Sequence, residues 1–201
     1  TVDLYGARSA ALTHGHQLGF LSAAALVHIV NQCVYGEFTG QDALYEIAED
    51  CVRALGTTFS TFEKTPKLQD MLRKAIALSK QHEKPDAIVI AEIGEGWVAE
   101  EALSIALYCA LRHQNDFSAA LVAAVNHSGD SDSTGLITGN ILGAYLGYDC
   151  IPASFLEHLE MTDLIGVLCD DLYALCATDG VSLCATERWQ RKYVKADYQL
   201  S

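Results

Sequence analysis

The chain has 201 residues, enough for one sizeable globular domain or two very small ones. Hydrophobic residues make up 50% of it and charged residues 19%, which is too apolar for a disordered chain. The 26 acidic residues outnumber the 13 basic ones and give a formal net charge of −13. Because phosphate backbones bind to basic surfaces, this charge argues against a nucleic-acid partner.

Apolar runs and cysteines indicate the compartment in which the protein works. No apolar run approaches the roughly 20 residues of a membrane span, so we expect no membrane partner. The seven cysteines are odd in number and include no C-x-x-C pair, which is typical of a reduced chain, so we expect a cytoplasmic location. The chain begins at Thr1 rather than at a methionine, and we expect it to be part of a longer protein.

Helical periodicity runs through the whole chain. Apolar residues at helical spacing predict helices over 5–32, 42–55, 68–81, 98–112, 118–125, 134–148, 162–177 and 185–195, with a short segment at 152–158. The run 87–91 is the only strand-like one, and because it has no partner strand we predict an extended buried loop there. The sequence therefore predicts a compact multi-helix fold, a single all-α domain over 1–201.

The most informative stretch is 126–135, which places Asp130 and Asp132 two residues apart among several hydroxyls, directly before a helix. Hard divalent cations prefer such oxygen ligands. Aspartate and serine are also ordinary helix caps, which is the alternative interpretation. A calcium loop of the EF-hand type is excluded, because its twelfth position should be glutamate and is Ile141 here.

The predicted helix after this loop carries a glycine at every fourth position, at 135, 139, 143 and 147. Each glycine costs about 1 kcal/mol of helix propensity relative to alanine. Glycines at this spacing form a smooth ridge along which another backbone can approach closely. We therefore predict dense helix packing behind the acidic loop.

Histidines and a glycine-rich stretch supply two further candidate sites. His14 and His16 form an H-x-H pair, but no strand precedes it, and histidines two apart on a helix would point to different sides, so we expect no zinc site. His28 lies on an apolar helix face and is predicted to be a hydrogen-bonded core histidine.

The stretch 94–97 places two glycines before a helix, where the backbone can closely approach an anionic or planar ligand that Trp97 could cover. The alternative is that the glycines form a turn and Trp97 lies in the core. The sequence also predicts that Cys169, Cys176 and Cys184 are small core residues rather than reactive thiols.

Four motifs follow one another along the chain: A-A-L-T-H-G-H at 10–16, G-E-G-W-V-A-E-E-A-L-S-I-A-L-Y at 94–108, H-S-G-D-S-D-S-T-G at 127–135 and L-E-M-T-D-L-I at 159–165. In this order they resemble the carboxy-terminal part of the ADP-ribosylglycohydrolase family, of the dinitrogenase reductase-activating and ADP-ribosyl-arginine hydrolase type. The resemblance implies an all-α enzyme that binds two Mg²⁺ or Mn²⁺ ions and hydrolyses the bond between ADP-ribose and an acceptor.

The same resemblance assigns roles to five residues. It places Asp130, Asp132 and Ser133 on the metal pair, His14 in the ADP-ribose pocket and Trp97 near the nucleoside. The implied partner is an ADP-ribosylated protein, with arginine as the modified side chain, or a small ADP-ribose compound.

One departure from the family pattern concerns the amino-terminal [ST]-D-D motif, which supplies the other metal ligands and has no counterpart in this chain. Asp170 and Asp171 are adjacent, but they lie in the tail and in the wrong place. We therefore expect the catalytic acid and the remaining ligands to lie in an amino-terminal segment absent from this chain. The alternative is a non-catalytic relative with a structural, crystallin-like or ADP-ribose-binding role.

Overall fold

The computed structural model describes residues 1–177 and 180–195, and every regular element within them is helical. The prediction of an all-α fold is confirmed. The twelve α-helices of the described residues are α1 (Val2–Ala11), α2 (Gln17–Tyr35), α3 (Ala43–Thr58), α4 (Thr65–Ser79), α5 (Asp86–Ile93), α6 (Ala99–Arg112), α7 (Phe117–Val125), α8 (Ser131–Leu146), α9 (Ala153–Leu156), α10 (Thr162–Ala177), α11 (Gly180–Cys184) and α12 (Glu187–Trp189). A 3₁₀ turn covers Tyr148–Cys150 and a π-helical turn covers Gln190–Val194.

The chain divides into two compact units, Thr1–Pro152 and Ala153–Ser201. The first contains α1 to α8, and the second contains α9 to α12. The expectation of one domain over 1–201 stays a prediction. The candidate site residues all belong to the first unit.

Helix α2 is the central element of the first unit and packs against α1, α3, α4, α6 and α8. Among the helices that the structure describes, it is also the one long and apolar enough to cross a membrane, with a mean hydropathy of 1.5. This corrects the expectation that no run approaches that length. The buried face of α2, which includes Leu18, Leu21 and Ile29, lies against its neighbours, as in the core helix of a helical bundle.

Helix α5 replaces the extended loop that we predicted over 87–91. Pro85 is the N-cap residue, with extended backbone, and the helix begins directly after it. Val89, Ile90 and Ile93 are buried, and their spacing places them on one helix face, whereas Ile88 is exposed. A β-branched run of this length therefore becomes a helix because it can bury one side against a neighbouring helix.

His28 lies between two carboxylates that hold α1 and α3 against α2. Its Nδ1 is 3.2 Å from Asp3 Oδ1, and its Nε2 is 3.1 Å from Asp50 Oδ2. Arg53 in turn donates to the other oxygen of Asp50 at 2.8 Å. The prediction of a hydrogen-bonded core histidine is confirmed.

The second unit differs from the first in that none of its described side chains is buried. Cys169 and Cys176 are exposed, and Cys184 is half-buried, so the prediction that these cysteines are core residues is wrong. The physical reason is that the described residues of this unit form no buried core for the cysteines to join, and large apolar side chains of α10 such as Leu172 and Tyr173 stay exposed. All seven cysteines of the chain are free thiols.

Candidate functional site

The acidic loop connects α7 to α8, two helices that run antiparallel in close contact. A Cβ atom at Gly135 would lie 2.7 Å from Val125, and one at Gly139 would lie 3.9 Å from Leu121. On its glycine side, α8 is tightly packed at Gly135 and in ordinary contact at Gly139. Gly143 has no neighbour within 4 Å, and Gly147 is the C-cap residue, with a φ of +83°. The predicted glycine ridge is therefore real at its amino end and wrong beyond it.

Helix α8 begins at Ser131, three residues earlier than predicted, so the loop is shorter and two of its candidate ligands are helical. Asp130 is the N-cap residue, and Asp132 and Ser133 occupy the first turn. The side chain of Asp130 makes no capping hydrogen bond. The alternative interpretation, in which these acids serve only as caps, therefore does not account for Asp130.

The carboxyl groups of Asp130 and Asp132 interact with each other. Asp132 Oδ1 also accepts from the backbone N–H of Ser133 at 2.9 Å. The hydrogen bond with Asp130, followed by the one from Ser133, lowers the pKa of Asp132. Asp132 is exposed, and Asp130 and Ser133 are half-buried, so solvent reaches the pair. Two carboxylates this close repel each other unless a proton or a cation lies between them.

The segment 94–97 is fastened to the acidic loop by its backbone. The N–H of Asp130 donates to the carbonyl of Glu95 at 2.8 Å. A Cβ atom at Gly129 would lie 1.8 Å from that same carbonyl oxygen, so only glycine fits there. Gly96 has a φ of +84°, and a Cβ atom on it would lie 3.5 Å from the carbonyl oxygen of Asp130. The two segments thus form one rigid surface.

Glu101 fills the position that we predicted for an anionic ligand. Its Oε2 accepts from the backbone N–H groups of Glu95 and Gly96, at 3.0 Å and 3.1 Å. The carboxylate therefore satisfies the donors that would otherwise cradle a phosphate. The anionic-ligand interpretation of these backbone groups is wrong, because the chain supplies its own anion. The exposed ring of Trp97 is still accessible to a planar ligand.

The structure places Trp97 next to the acidic loop and His14 in a different turn. The Trp97 side chain is 66% exposed, and it follows Gly96, which contacts Asp130. His14 lies between α1 and α2 and is exposed, with its Nδ1 2.8 Å from the hydroxyl of Thr13. Nearby His16 caps α2 by accepting from the N–H of Leu18. That His14 and Trp97 line one cleft stays a prediction.

The motif order and the helical architecture agree with a family assignment from sequence comparison. A model of the ADP-ribosylglycohydrolase family matches residues 3–181. The chain belongs to the ADP-ribosylglycohydrolase family. The family resemblance read from the four motifs is confirmed.

Curated relatives carry related names. The chain is 27% identical over 189 residues to the ADP-ribosylhydrolase ARH3 of Bos taurus and 26% identical to that of Homo sapiens. Each alignment covers 86% of this chain and 52% of the relative, so the chain spans about half the length of these relatives. A shorter match of 45 residues, 42% identical, links it to the ADP-ribosyl-[dinitrogen reductase] glycohydrolase of Rhodospirillum rubrum, covering 22% of this chain and 15% of that protein. No solved structure matches the chain.

In this member of the family, the oxygen-bearing side chains at the start of α8 fit a hard divalent cation in kind. Asp130, Asp132 and Ser133 offer oxygen atoms only, which is the ligand chemistry that Mg²⁺ and Mn²⁺ prefer. Within residues 1–177 and 180–195, no group of three or more histidine, cysteine, aspartate or glutamate side chains lies close enough to hold a metal ion. The three residues therefore match a metal ion in ligand chemistry, but the described residues hold no complete group of ligands.

Three residues that shape this surface had no role in the sequence analysis. Glu101, His127 and Thr134 occur there only as letters of the family motifs. In the structure, the His127 ring contacts both Gly129 and Thr134. Their positions in the sequence could have indicated them. His127 and Thr134 flank the two acids, and Glu101 lies in the first turn of the helix that follows the glycine pair.

Proposed function

We propose that this chain is the carboxy-terminal, metal-binding part of a cytoplasmic Mg²⁺- or Mn²⁺-dependent hydrolase. Its substrate is ADP-ribose linked to a protein side chain, with arginine as the first candidate, or a related small ADP-ribosyl compound. The observation that supports this most directly is the pair of carboxylates of Asp130 and Asp132, which interact with each other and are accessible to solvent. The name of the Rhodospirillum rubrum relative, which describes an ADP-ribosylated protein as substrate, supports the protein-linked form.

In this proposal, Asp130, Asp132 and Ser133 hold the metal pair. Divalent ions supply positive charge that orients ribose hydroxyls and lowers the pKa of a bound water. The rigid contact between Gly129 and Glu95 keeps the two acids in place while substrate binds. Pre-positioning of this kind reduces the entropy lost when the reacting groups come together.

Trp97 and His14 bind the substrate in this proposal. The exposed indole of Trp97 offers a flat apolar face to a planar base, and its neighbour Gly96 holds it beside Asp130. His14 presents an accessible imidazole that can donate to or accept from the ADP-ribose. Both side chains are exposed, so neither has to leave a buried position to reach a ligand.

The remaining ligands and the catalytic acid come, in this proposal, from a segment outside these 201 residues. Each of two adjacent ions needs about six oxygen ligands, which two carboxylates and one hydroxyl do not provide. The relatives' length, about twice the aligned region, is consistent with this. We therefore expect the chain alone to bind Mn²⁺ weakly, with a dissociation constant on the order of 1 mM.

Electron paramagnetic resonance of free Mn²⁺ during titration of the chain tests the metal site. We expect Asp130→Asn and Asp132→Asn each to remove the saturable Mn²⁺ binding of the parent chain. Asp149→Asn is the matched control, because Asp149 is also exposed and the charge change is the same. It should bind Mn²⁺ as the parent does.

Turnover is measured as release of ADP-ribose from ADP-ribosyl-arginine. We expect none from the 1–201 chain, and release from the longer protein that is lost in Asp130→Asn and Asp132→Asn. Clear hydrolysis by 1–201 alone would show that these residues suffice and that the ligand count is wrong. If both variants bound Mn²⁺ like the parent, the non-catalytic relative would be the better description.

A further inference from the structure

The ring of His127 lies across the base of the acidic loop and makes two hydrogen bonds of equal length. Its Nδ1 is 3.0 Å from the backbone nitrogen of Gly129. Its Nε2 is 3.0 Å from the hydroxyl oxygen of Thr134. The ring therefore joins the start of the loop to the first turn of α8, with Asp130, Asp132 and Ser133 between its two contacts.

These contacts determine where the ring proton resides. A backbone N–H can only donate, so Nδ1 of His127 must accept from Gly129 and carries no proton. The proton of the neutral ring is then on Nε2, which donates to Thr134 Oγ1. The hydroxyl of Thr134 is left to donate onward, and the carbonyl oxygen of Ala124 is 2.7 Å away.

The far end of this chain of hydrogen bonds is anchored in the core. Thr134 is fully buried. Its hydroxyl donates a hydrogen bond to the carbonyl of Ala124, which is itself fully buried in α7. Apart from this ring, the loop is held by backbone contacts and by two hydroxyls: Thr134 also donates to the carbonyl of Asp130 at 3.0 Å, and Ser131 donates to that of Gly129 at 3.4 Å. The side chain of Asp130 adds no capping bond. A ring fixed at both nitrogens removes much of the freedom that remains to the two acids.

We propose that His127 is a positioning residue for the acidic loop. Its ring acts as a single tautomer that accepts a hydrogen bond at Nδ1 and donates one at Nε2. It sets the separation of Asp130 and Asp132 without contacting a metal itself. This inference rests on the proposed metal site for its effect on ion binding. The tautomer and the two hydrogen bonds stand on the geometry alone.

Nitrogen NMR of the histidine rings tests the geometry without any metal. At about pH 8.5, two units above the ordinary imidazole value, we expect His127 to show a proton on Nε2 and none on Nδ1. We also expect a scalar coupling across the hydrogen bond between the Gly129 amide and Nδ1. A His127 ring with its proton on Nδ1 would overturn the proposal.

Mn²⁺ titration then tests the positioning role. His127→Leu removes both hydrogen bonds, His127→Asn keeps an acceptor at the Nδ1 position, and His127→Gln keeps a donor at the Nε2 position. We expect Mn²⁺ affinity to fall about tenfold in His127→Leu, as is common when the support of a metal ligand is removed, and less in the other two. His82→Gln, at an exposed histidine, is the control.

All titrations are made at a temperature at which circular dichroism shows each variant to be folded. A role confined to stability would lower the unfolding temperature and leave Mn²⁺ affinity unchanged in the folded chain, and this result would overturn the proposal. If His127→Leu does not fold, a Mn²⁺ affinity within twofold of the parent in both His127→Asn and His127→Gln would also overturn the proposal. Failure of Asp130→Asn to affect Mn²⁺ would instead refute the metal site, while the ring spectra still decide the tautomer.

Discussion

Gly129 is the residue on which the geometry of the site depends most. The carbonyl oxygen of Glu95 occupies the space that any side chain at Gly129 would need. Because the obstacle is backbone, it cannot rotate away as a flexible side chain would. The same approach allows the N–H of Asp130 to reach Glu95. One missing methyl group thus permits two distant segments to share a surface.

We therefore expect Gly129→Ala to lower the free energy of unfolding by about 2 kcal/mol, the typical cost of overpacking. Gly143→Ala is a suitable control, because Gly143 lies in α8, next to the loop in sequence, and a Cβ atom on it would have no neighbour within 4 Å. It should raise the free energy of unfolding by about 0.5 to 1 kcal/mol through helix propensity. Urea unfolding followed by circular dichroism measures both. Equal effects of the two substitutions would show that the contact with Glu95 does not constrain the loop.

At the level of elements, a cluster around Asp86 holds α5 against α6. The carboxyl of Asp86 accepts from the hydroxyl of Tyr108 at 2.6 Å and pairs with His113 at 3.0 Å. Arg112 lies close by, with its Nε 3.6 Å from the same carboxyl. Asp86 is at the amino end of its helix and the two bases are at the carboxyl end of theirs, so both helix dipoles favour the arrangement.

This cluster predicts a pH dependence of stability. Burial raises the pKa of Asp86, but the hydrogen bonds from Tyr108 and His113 outweigh it, so the folded-state pKa lies below the ordinary 3.8. A carboxyl with a lowered pKa stabilises the fold above its unfolded-state value, and this contribution is lost as pH falls through the folded-state value. We expect Asp86→Asn to cost about 1 to 2 kcal/mol at pH 7, and the difference from the parent to shrink below about pH 4.

The measurement is urea unfolding of parent and variant over a series of pH values. Asp70→Asn is the control, because Asp70 pairs with Arg73 but its side chain is 77% exposed. Exposed pairs contribute little, so this variant should stay close to the parent at every pH. A cost for Asp86→Asn that is the same at pH 3 and pH 7 would contradict the argument.

On the scale of the whole molecule, the two units differ in what stabilises them. Both clusters of buried apolar side chains draw their members from residues up to 151. In the second unit, the described side chains are exposed or half-buried. The first unit therefore contains the hydrophobic burial that drives folding of this chain.

A chain ending at Pro152 should accordingly fold alone, with cooperative thermal unfolding and a midpoint within about 5 °C of the parent. A chain ending at Val125 is the comparison, because it lacks α8, whose Ile141 and Leu142 are fully buried in the core. We expect that shorter chain not to fold. Circular dichroism and calorimetry distinguish the outcomes, and a non-cooperative transition of the 1–152 chain would count against the division.

The sequence by itself determined the fold class and the family. These follow from local properties: apolar spacing, turn residues and motifs whose members are close together in the chain. It also identified the acidic pair, because Asp130 and Asp132 are two residues apart and precede a helix. His28 was predictable for the same reason, since a histidine on an apolar helix face has to find polar partners.

Only the tertiary structure decided which of these groups are exposed and free to bind a ligand, and which are buried or already paired. The occupation of the glycine-rich backbone by Glu101, the close contact of Gly129 with Glu95 and the helical state of 87–91 all depend on which elements pack together. The same holds for Cys169, which is exposed although apolar residues flank it on its helix. Local sequence specifies what a segment can form, whereas its burial and its hydrogen-bond partners are set by neighbours that are distant in the chain.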